Sequence, residues 1–168
     1  FFDETERPIA LQLFGHNPDN MAASAKILET LKPDVIDINA GCPVQKINRL
    51  GAGAALLKDL NKLSIIVKAV VNAVKIPVSV KTRLGYNENQ IEEWIAPILK
   101  ENVAVLTVHL RTRKQMYQGS AQWNIIKKIV ELRDLYSPET LIIGNGDVKS
   151  LEQAHELAKE NRIDGIMI

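Results

Sequence analysis

Six short apolar runs alternate with segments of helical period along this chain, and that alternation restricts the fold more than any other feature. The runs are Ile9 to Phe14, Val35 to Asn39, Val78 to Arg83, Val105 to His109, Leu141 to Ile143 and Ile163 to Ile168. Each has the length of a strand, and each gap can hold a helix. Strands separated by helices do not pair as hairpins; such crossovers join parallel neighbours in a right-handed sense. The expectation is an α/β protein with a parallel sheet. Six strands in 168 residues suit a doubly wound sheet or most of a (β/α)8 barrel, and the period does not separate the two.

Several helices are legible in detail. Asn17-Pro18 reads as an N-cap followed by proline at the first helical position. Leu63, Ile66, Val67, Val70, Val71 and Val74 recur at three- and four-residue steps, one buried helix face. Ile91, Trp94, Ile95, Ile98 and Leu99 do the same, with Pro97 expected to kink or break that helix. Trp123, Ile126, Ile129 and Val130 mark another, and Ser150 with Gln153 resembles a capping box ahead of Leu151, Ala154, Leu157 and Ala158. Gly41 to Asn61 reads as a long connection, of a length that tends to be functional or mobile. Its Gly51-Ala52-Gly53 is not a dinucleotide fingerprint, because Leu56 occupies the third glycine position. Those glycines read as turn and close-packing positions.

Composition narrows the function. A formal charge of +1, from 21 basic and 20 acidic residues, gives no support to a protein built around a large basic surface. One cysteine excludes an intrachain disulfide framework and fits a reducing, cytoplasmic setting. No apolar run approaches the ~20 residues of a membrane span. There is no phosphate-cradling GKS or GKT loop and no metal-ligand spacing.

Strands of a parallel sheet are normally apolar on both faces; these are not. Gln12 opposes Leu11 and Leu13; Asp37 and Asn39 oppose Ile36 and Ile38; Ser79, Lys81 and Arg83 oppose Val78 and Val80; Thr107, His109 and Arg111 oppose Leu106 and Val108. The fifth run ends in Gly144-Asn145-Gly146-Asp147. Each of these strands therefore carries a polar residue near its C-terminal end, where parallel α/β folds bind ligands. If the sheet closes, Gln12, Asn39, Lys81, His109 and Asn145 converge near Cys42 in Asn39-Ala40-Gly41-Cys42-Pro43. Each has a plainer reading: a lone cysteine as a small core residue, Lys81 extended to solvent, His109 as a satisfied core histidine, the Gly-Asn-Gly-Asp run as a turn. Several polar side chains in one core are costly unless they share a ligand, so the group as a whole points to a polar, anionic one.

The segments Gln12-Leu13-Phe14-Gly15, Asp37 to Pro43, Lys46 to Gly51, Val80 to Gly85, His109 through Gly119, Gly144 to Asp147 and Asp164 to Ile168 follow in order the pattern of the tRNA-dihydrouridine synthases, which this chain resembles nearly throughout. The resemblance implies a partial (β/α)8 TIM barrel of about six of the eight βα units, residues 1–168 being an incomplete FMN-binding catalytic domain. N-terminal strands, a C-terminal helical tRNA-binding domain and a phosphate clamp beyond Ile168 would lie outside it. It implies FMN-dependent reduction of uridine to 5,6-dihydrouridine in tRNA with NADPH, by a cytoplasmic protein, monomeric when full length, needing no metal and no membrane. It makes Cys42 the general acid; Gln12, Lys81, His109, Asn145, Gly146 and Asp147 the FMN-binding residues; and Asn39, Arg83 and Arg111 the substrate-binding ones. An ordinary thiol is mostly protonated at neutral pH, as an acid must be. Leu110 departs from the family pattern, which has glycine after the histidine, and is expected to crowd the loop carrying Arg111. The isolated chain is expected to be inactive. Two alternatives are another FMN barrel, of dihydroorotate-dehydrogenase type, and a catalytically silent barrel that binds RNA.

Overall fold

Residues 2–168 are described here from a computed structural model. Six strands form one sheet: β1 (Ala10–Leu13), β2 (Val35–Ala40), β3 (Val78–Arg83), β4 (Val105–His109), β5 (Leu141–Asn145) and β6 (Gly165–Met167). All neighbours run parallel and their order is β1-β2-β3-β4-β5-β6. A doubly wound sheet reverses its direction of growth partway, which places its first strand inside the sheet. A barrel adds every strand on the same side. The unreversed order found here is that of an open, six-stranded part of a barrel.

The helices are α1 (Pro18–Glu29), α2 (Gln45–Arg49), α3 (Leu60–Ala73), α4 (Ile91–Leu99), α5 (Ile126–Tyr136) and α6 (Leu151–Asn161). Helix α1 packs on α3, α3 on α4 and α4 on α5, a single layer side by side. Their apolar faces, such as Leu63, Ile66 and Val70 on α3 or Trp94, Ile95 and Ile98 on α4, join Ile36, Ile38, Val80, Leu106, Val108 and Ile142 of the sheet in one core. Burying each such side chain contributes about 1.5–3 kcal/mol, so this face drives the fold. The other face of the sheet lines an open cleft of about 370 Å³ containing Asp37, Ser79, Lys81 and Thr107.

Local signals hold with some adjustments. Asn17 accepts a hydrogen bond from the Asn20 N–H at 2.9 Å, with Pro18 opening α1. Ser150 caps α6 through the Gln153 N–H at 3.1 Å, but the Gln153 side chain takes the N–H of Lys149 instead of Ser150, so the box is offset by one residue. Helix α4 runs through Pro97 and stops at Leu99; a proline in the last turn removes one hydrogen bond where the helix is ending anyway. Leu110 does not crowd Arg111: it is buried in the core, on the helix-bearing face. The connection after β2 is built from α2 and a 3₁₀ helix, Gly53–Lys58.

Candidate functional site

Side chains in register on adjacent strands stand beside one another on the same face. Pairing therefore sorts the polar residues into three rows: Gln12, Asp37 and Ser79; then Asn39, Lys81 and Thr107; then Arg83, His109 and Asn145. Each row starts one strand later and two residues further along, the stagger of a sheet that curls towards closure. The rows end at a cavity of about 670 Å³ lined by Gln12, Asn39, Cys42, Lys81, Arg83, His109, Arg111, Asn145, Gly146 and Asp147. Every site residue expected from the sequence is brought to this one place.

The residues differ in how free they are. Lys81 Nζ donates to Asn145 Oδ1 at 3.0 Å, and Asn145 Nδ2 donates to the Met167 carbonyl at 3.0 Å. Arg83 is buried, with Nε on the Gly41 carbonyl at 2.8 Å and Nη1 on those of Thr112 and Met116 at 3.1 and 2.8 Å. It ties the cysteine loop to the loop after β4. Arg111 is also buried: its Nη2 donates to both carboxylate oxygens of Asp147 at 2.7 and 2.8 Å and to the Gly119 carbonyl at 2.7 Å. Asp147 additionally accepts the Ala121 N–H at 2.7 Å. Its carboxylate thus braces this loop while its side chain, 43% exposed, still faces the cavity.

Cys42 is half-buried at the cavity edge and is held by its backbone. Asn39 Oδ1 accepts the N–H groups of Gly41 and Cys42 at 3.1 and 2.9 Å, while the Cys42 carbonyl accepts Asn48 Nδ2 and the Ala54 N–H at 2.8 and 3.0 Å. Gly53, at φ +61, passes so close that an added Cβ would lie 2.9 Å from the Cys42 carbonyl oxygen.

The charges are uneven. Lys81, Arg83 and Arg111 line the cavity against one carboxylate, Asp147, which Arg111 already engages. Burial, with Arg83 nearby, lowers the Lys81 pKa, partly opposed by Asp37. Burial and then the cations Arg83, Lys81 and Arg111 push His109 down to about 4, so the imidazole is neutral at physiological pH. Arg111 Nη1 lies 3.3 Å from His109 Nε2. A guanidinium only donates, so Nε2 accepts and the ring hydrogen sits on Nδ1. Bonds from Arg111 and the Ala121 N–H hold the Asp147 carboxyl below the usual carboxylate range. With Arg111 paired to Asp147, the charges of Lys81 and Arg83 are left in excess at the cavity, which suits an anionic ligand.

Sequence reasoning missed three neighbours. Asp37 accepts Ser79 Oγ and Gln12 Nε2, both at 2.6 Å, and burial raises its pKa against those bonds and the Lys81 charge. Only strand register brings Gln12, Asp37 and Ser79 into one row. Tyr117 lines the mouth, 72% exposed, with its ring 6.4 Å from that of His109 and 5.8 Å from the Arg83 guanidinium. An isolated tyrosine in a charged loop carries no pattern that would single it out. Among the described residues no group of three or more His, Cys, Asp or Glu could hold a metal ion, and no helix is long and apolar enough to cross a membrane.

Comparison with known proteins gives a consistent result. The family profile described as "Dihydrouridine synthase (Dus)" matches residues 2–168. A probable tRNA-dihydrouridine synthase of Aquifex aeolicus (strain VF5) is 40% identical over 172 residues, covering 100% of this chain and 53% of its own length. A probable tRNA-dihydrouridine synthase 2 of Bacillus subtilis (strain 168) is 38% identical over 168 residues, covering 99% of this chain and 51% of its own length. This chain therefore spans about half the length of the curated relatives it matches. Among solved structures, a protein of Burkholderia cenocepacia J2315 described as a phosphonomutase superposes with a TM-score of 0.68 at 16% identity, over 95% of this chain and 68% of that one. At that identity the likeness concerns the fold alone.

Proposed function

From the premise that this chain belongs to the dihydrouridine synthase family, we propose that the whole protein reduces uridine to 5,6-dihydrouridine in tRNA, using FMN and NADPH. The observation that carries the proposal is the convergence of three carboxamides, an ammonium and a neutral imidazole from five strands, with a thiol from the loop after β2, on one cation-rich cavity. FMN, when bound and reduced by NADPH, supplies hydride for C6 of the uracil ring. Gln12, Lys81, His109, Asn145 and the backbone at Gly146 and Asp147 would hold it. Lys81, desolvated and without a carboxylate in contact, supplies positive charge for an anionic ring. Cys42 is the proton donor to C5, and its backbone anchors keep the thiol at the cavity edge, where a base entering from outside would arrive. Asn39, Arg83 and Arg111 shape the substrate side by bracing the two loops. The uridine must leave its stack to enter.

The rest of the protein, about as long again in the relatives, would close the barrel and supply a helical domain gripping tRNA. A cytoplasmic, monomeric enzyme is the corresponding whole. A dihydroorotate-dehydrogenase-like activity would use Lys81 and the phosphate loop but leaves Cys42 with the His109-to-Gly119 segment without a task. The test is mass spectrometry of tRNA from cells lacking the full-length gene, with and without the gene restored. One or more uridines should stay unreduced and recover on restoration; a full complement of dihydrouridine in the deletion strain would overturn the proposal.

A further inference from the structure

Asp37 is a buried carboxylate with no part in the chemistry just described, yet it ends a continuous chain of hydrogen bonds that reaches the cysteine loop. Ser79 Oγ donates to Asp37 Oδ1 at 2.6 Å; Gln12 Nε2 donates to Asp37 Oδ2 at 2.6 Å; Asn39 Nδ2 donates to Gln12 Oε1 at 2.9 Å; and Asn39 Oδ1 accepts the N–H groups of Gly41 and Cys42 at 3.1 and 2.9 Å. Carboxamides are reversible: either can rotate to exchange its donor and acceptor ends. Here neither is free to do so. The backbone N–H groups at one end only donate, so the Asn39 oxygen must face them and its amino group must face Gln12. The Gln12 oxygen must then face Asn39 and its amino group must face position 37, which has to accept.

We propose that Asp37 is a positioning residue that sets the orientation of both carboxamides, Gln12 and Asn39, and thereby holds the loop that presents Cys42. This deepens the reading above and rests on it for the catalytic meaning of Cys42, but the hydrogen-bond relay itself does not. The register explains why these three communicate: Gln12 and Asp37 are direct partners across β1 and β2, and Asn39 is the next residue on the same face of β2. A carboxylate at this place serves two jobs at once, accepting from Ser79 on β3 and from Gln12 on β1, so that three strands are joined on their cavity face.

The polarity of a relay can be reversed, and that gives the test, made in the full-length protein. In Asn39→Asp the loop cap survives, because a carboxylate still accepts the two N–H groups. Gln12 then lies between two carboxylates, and its oxygen must face one of them. In the double variant Asp37→Asn with Asn39→Asp, position 37 donates to a reversed Gln12, and Gln12 donates to position 39. Every bond is regained with direction inverted and total charge unchanged. Asp37→Ala with Asn39→Asp has that same charge but no donor at 37. The readout is the alkylation rate of Cys42 by iodoacetamide, followed on its own peptide by mass spectrometry, with folding checked by thermal melting and circular dichroism. Both doubles carry the same carboxylate beside Cys42, so the Asn/Asp double should be alkylated about tenfold more slowly than the Ala/Asp double, the usual scale of coupling within a shared network, and more slowly than Asn39→Asp alone. Failure of the Asn/Asp double to react more slowly than Asn39→Asp, or equal rates in the two doubles, would overturn the relay. Uridine reduction measured on the same proteins separates this from the function itself: a wild type without activity would sink the enzymatic reading while leaving the alkylation pattern to be judged alone.

Discussion

The closest backbone approach to the cysteine loop makes the sharpest stability prediction. Gly51 and Gly53 both adopt the left-handed region, at φ +75 and +61. An L-residue there costs about 1 kcal/mol. Their surroundings differ. A Cβ at Gly51 would meet nothing closer than His16 Cβ at 3.6 Å, an ordinary contact. A Cβ at Gly53 would lie 2.9 Å from the Cys42 carbonyl oxygen, 3.0 Å from Cys42 Cβ and 3.0 Å from Ile47 Cγ2. That carbonyl cannot retreat without loosening its bonds from Asn48 and Ala54. Overpacking of this kind adds about 1–3 kcal/mol. Gly51→Ala should therefore cost about 1 kcal/mol and Gly53→Ala about 2–4 kcal/mol, read from urea denaturation of the full-length protein at unchanged m-value. Gly53→Ala alone should also speed alkylation of Cys42. If the two variants agree within about 0.5 kcal/mol, the tight seat of the cysteine loop is not what the geometry implies.

Three further outcomes are expected. Cys42→Ala should lower uridine reduction by about 100-fold or more while bound flavin, read from its visible spectrum, stays in place; general-acid catalysis is worth that much, and unchanged turnover would remove the thiol from the mechanism. His109 is held near 4 in the fold against about 6.5 when unfolded, so the unfolded chain takes up the proton first. The stability tied to its neutral form is complete above about pH 6.5 and is lost as pH falls towards 4; discounted for the open cavity this is about 1–2 kcal/mol. His109→Asn should flatten that slope in denaturation curves, and an unaltered slope would contradict the assignment. Asp147→Ala leaves the buried Arg111 guanidinium without its carboxylate and should cost about 1–3 kcal/mol in the same assay; Asp147→Asn, which can still accept from Arg111 and Ala121, should cost less, and equal losses would argue against the bracing role.

Much was legible in the residues themselves. Strand–helix alternation, the apolar stripes of α3 and α4, the caps Asn17 and Ser150, and a polar residue near the end of successive strands are all local patterns. They follow from how each backbone type presents its side chains, with period two or about 3.6, whatever the rest of the chain does. The resemblance in the cysteine, lysine, histidine and Gly-Asn-Gly-Asp segments is likewise written along the chain, and it named the family correctly. The choice between a doubly wound sheet and a barrel was beyond periodicity, because both use the same unit and differ only in the side on which each new strand is laid.

Only the tertiary structure decided which of these polar groups bond to one another. Asp37 and Ser79 looked like members of a strand pattern, and Gln12, some 25 residues before Asp37, had no visible tie to either. Register made them one row, and the row made a relay. Likewise Asp147 read only as part of a phosphate loop, and the fold adds Arg111, which reaches it across 36 residues of chain and makes its carboxylate a brace. Hydrogen bonds depend on distances of a few tenths of an ångström between groups far apart in the chain. A linear order of residues carries strand, helix and chemistry type, while partnership between side chains exists only once the strands have been laid side by side.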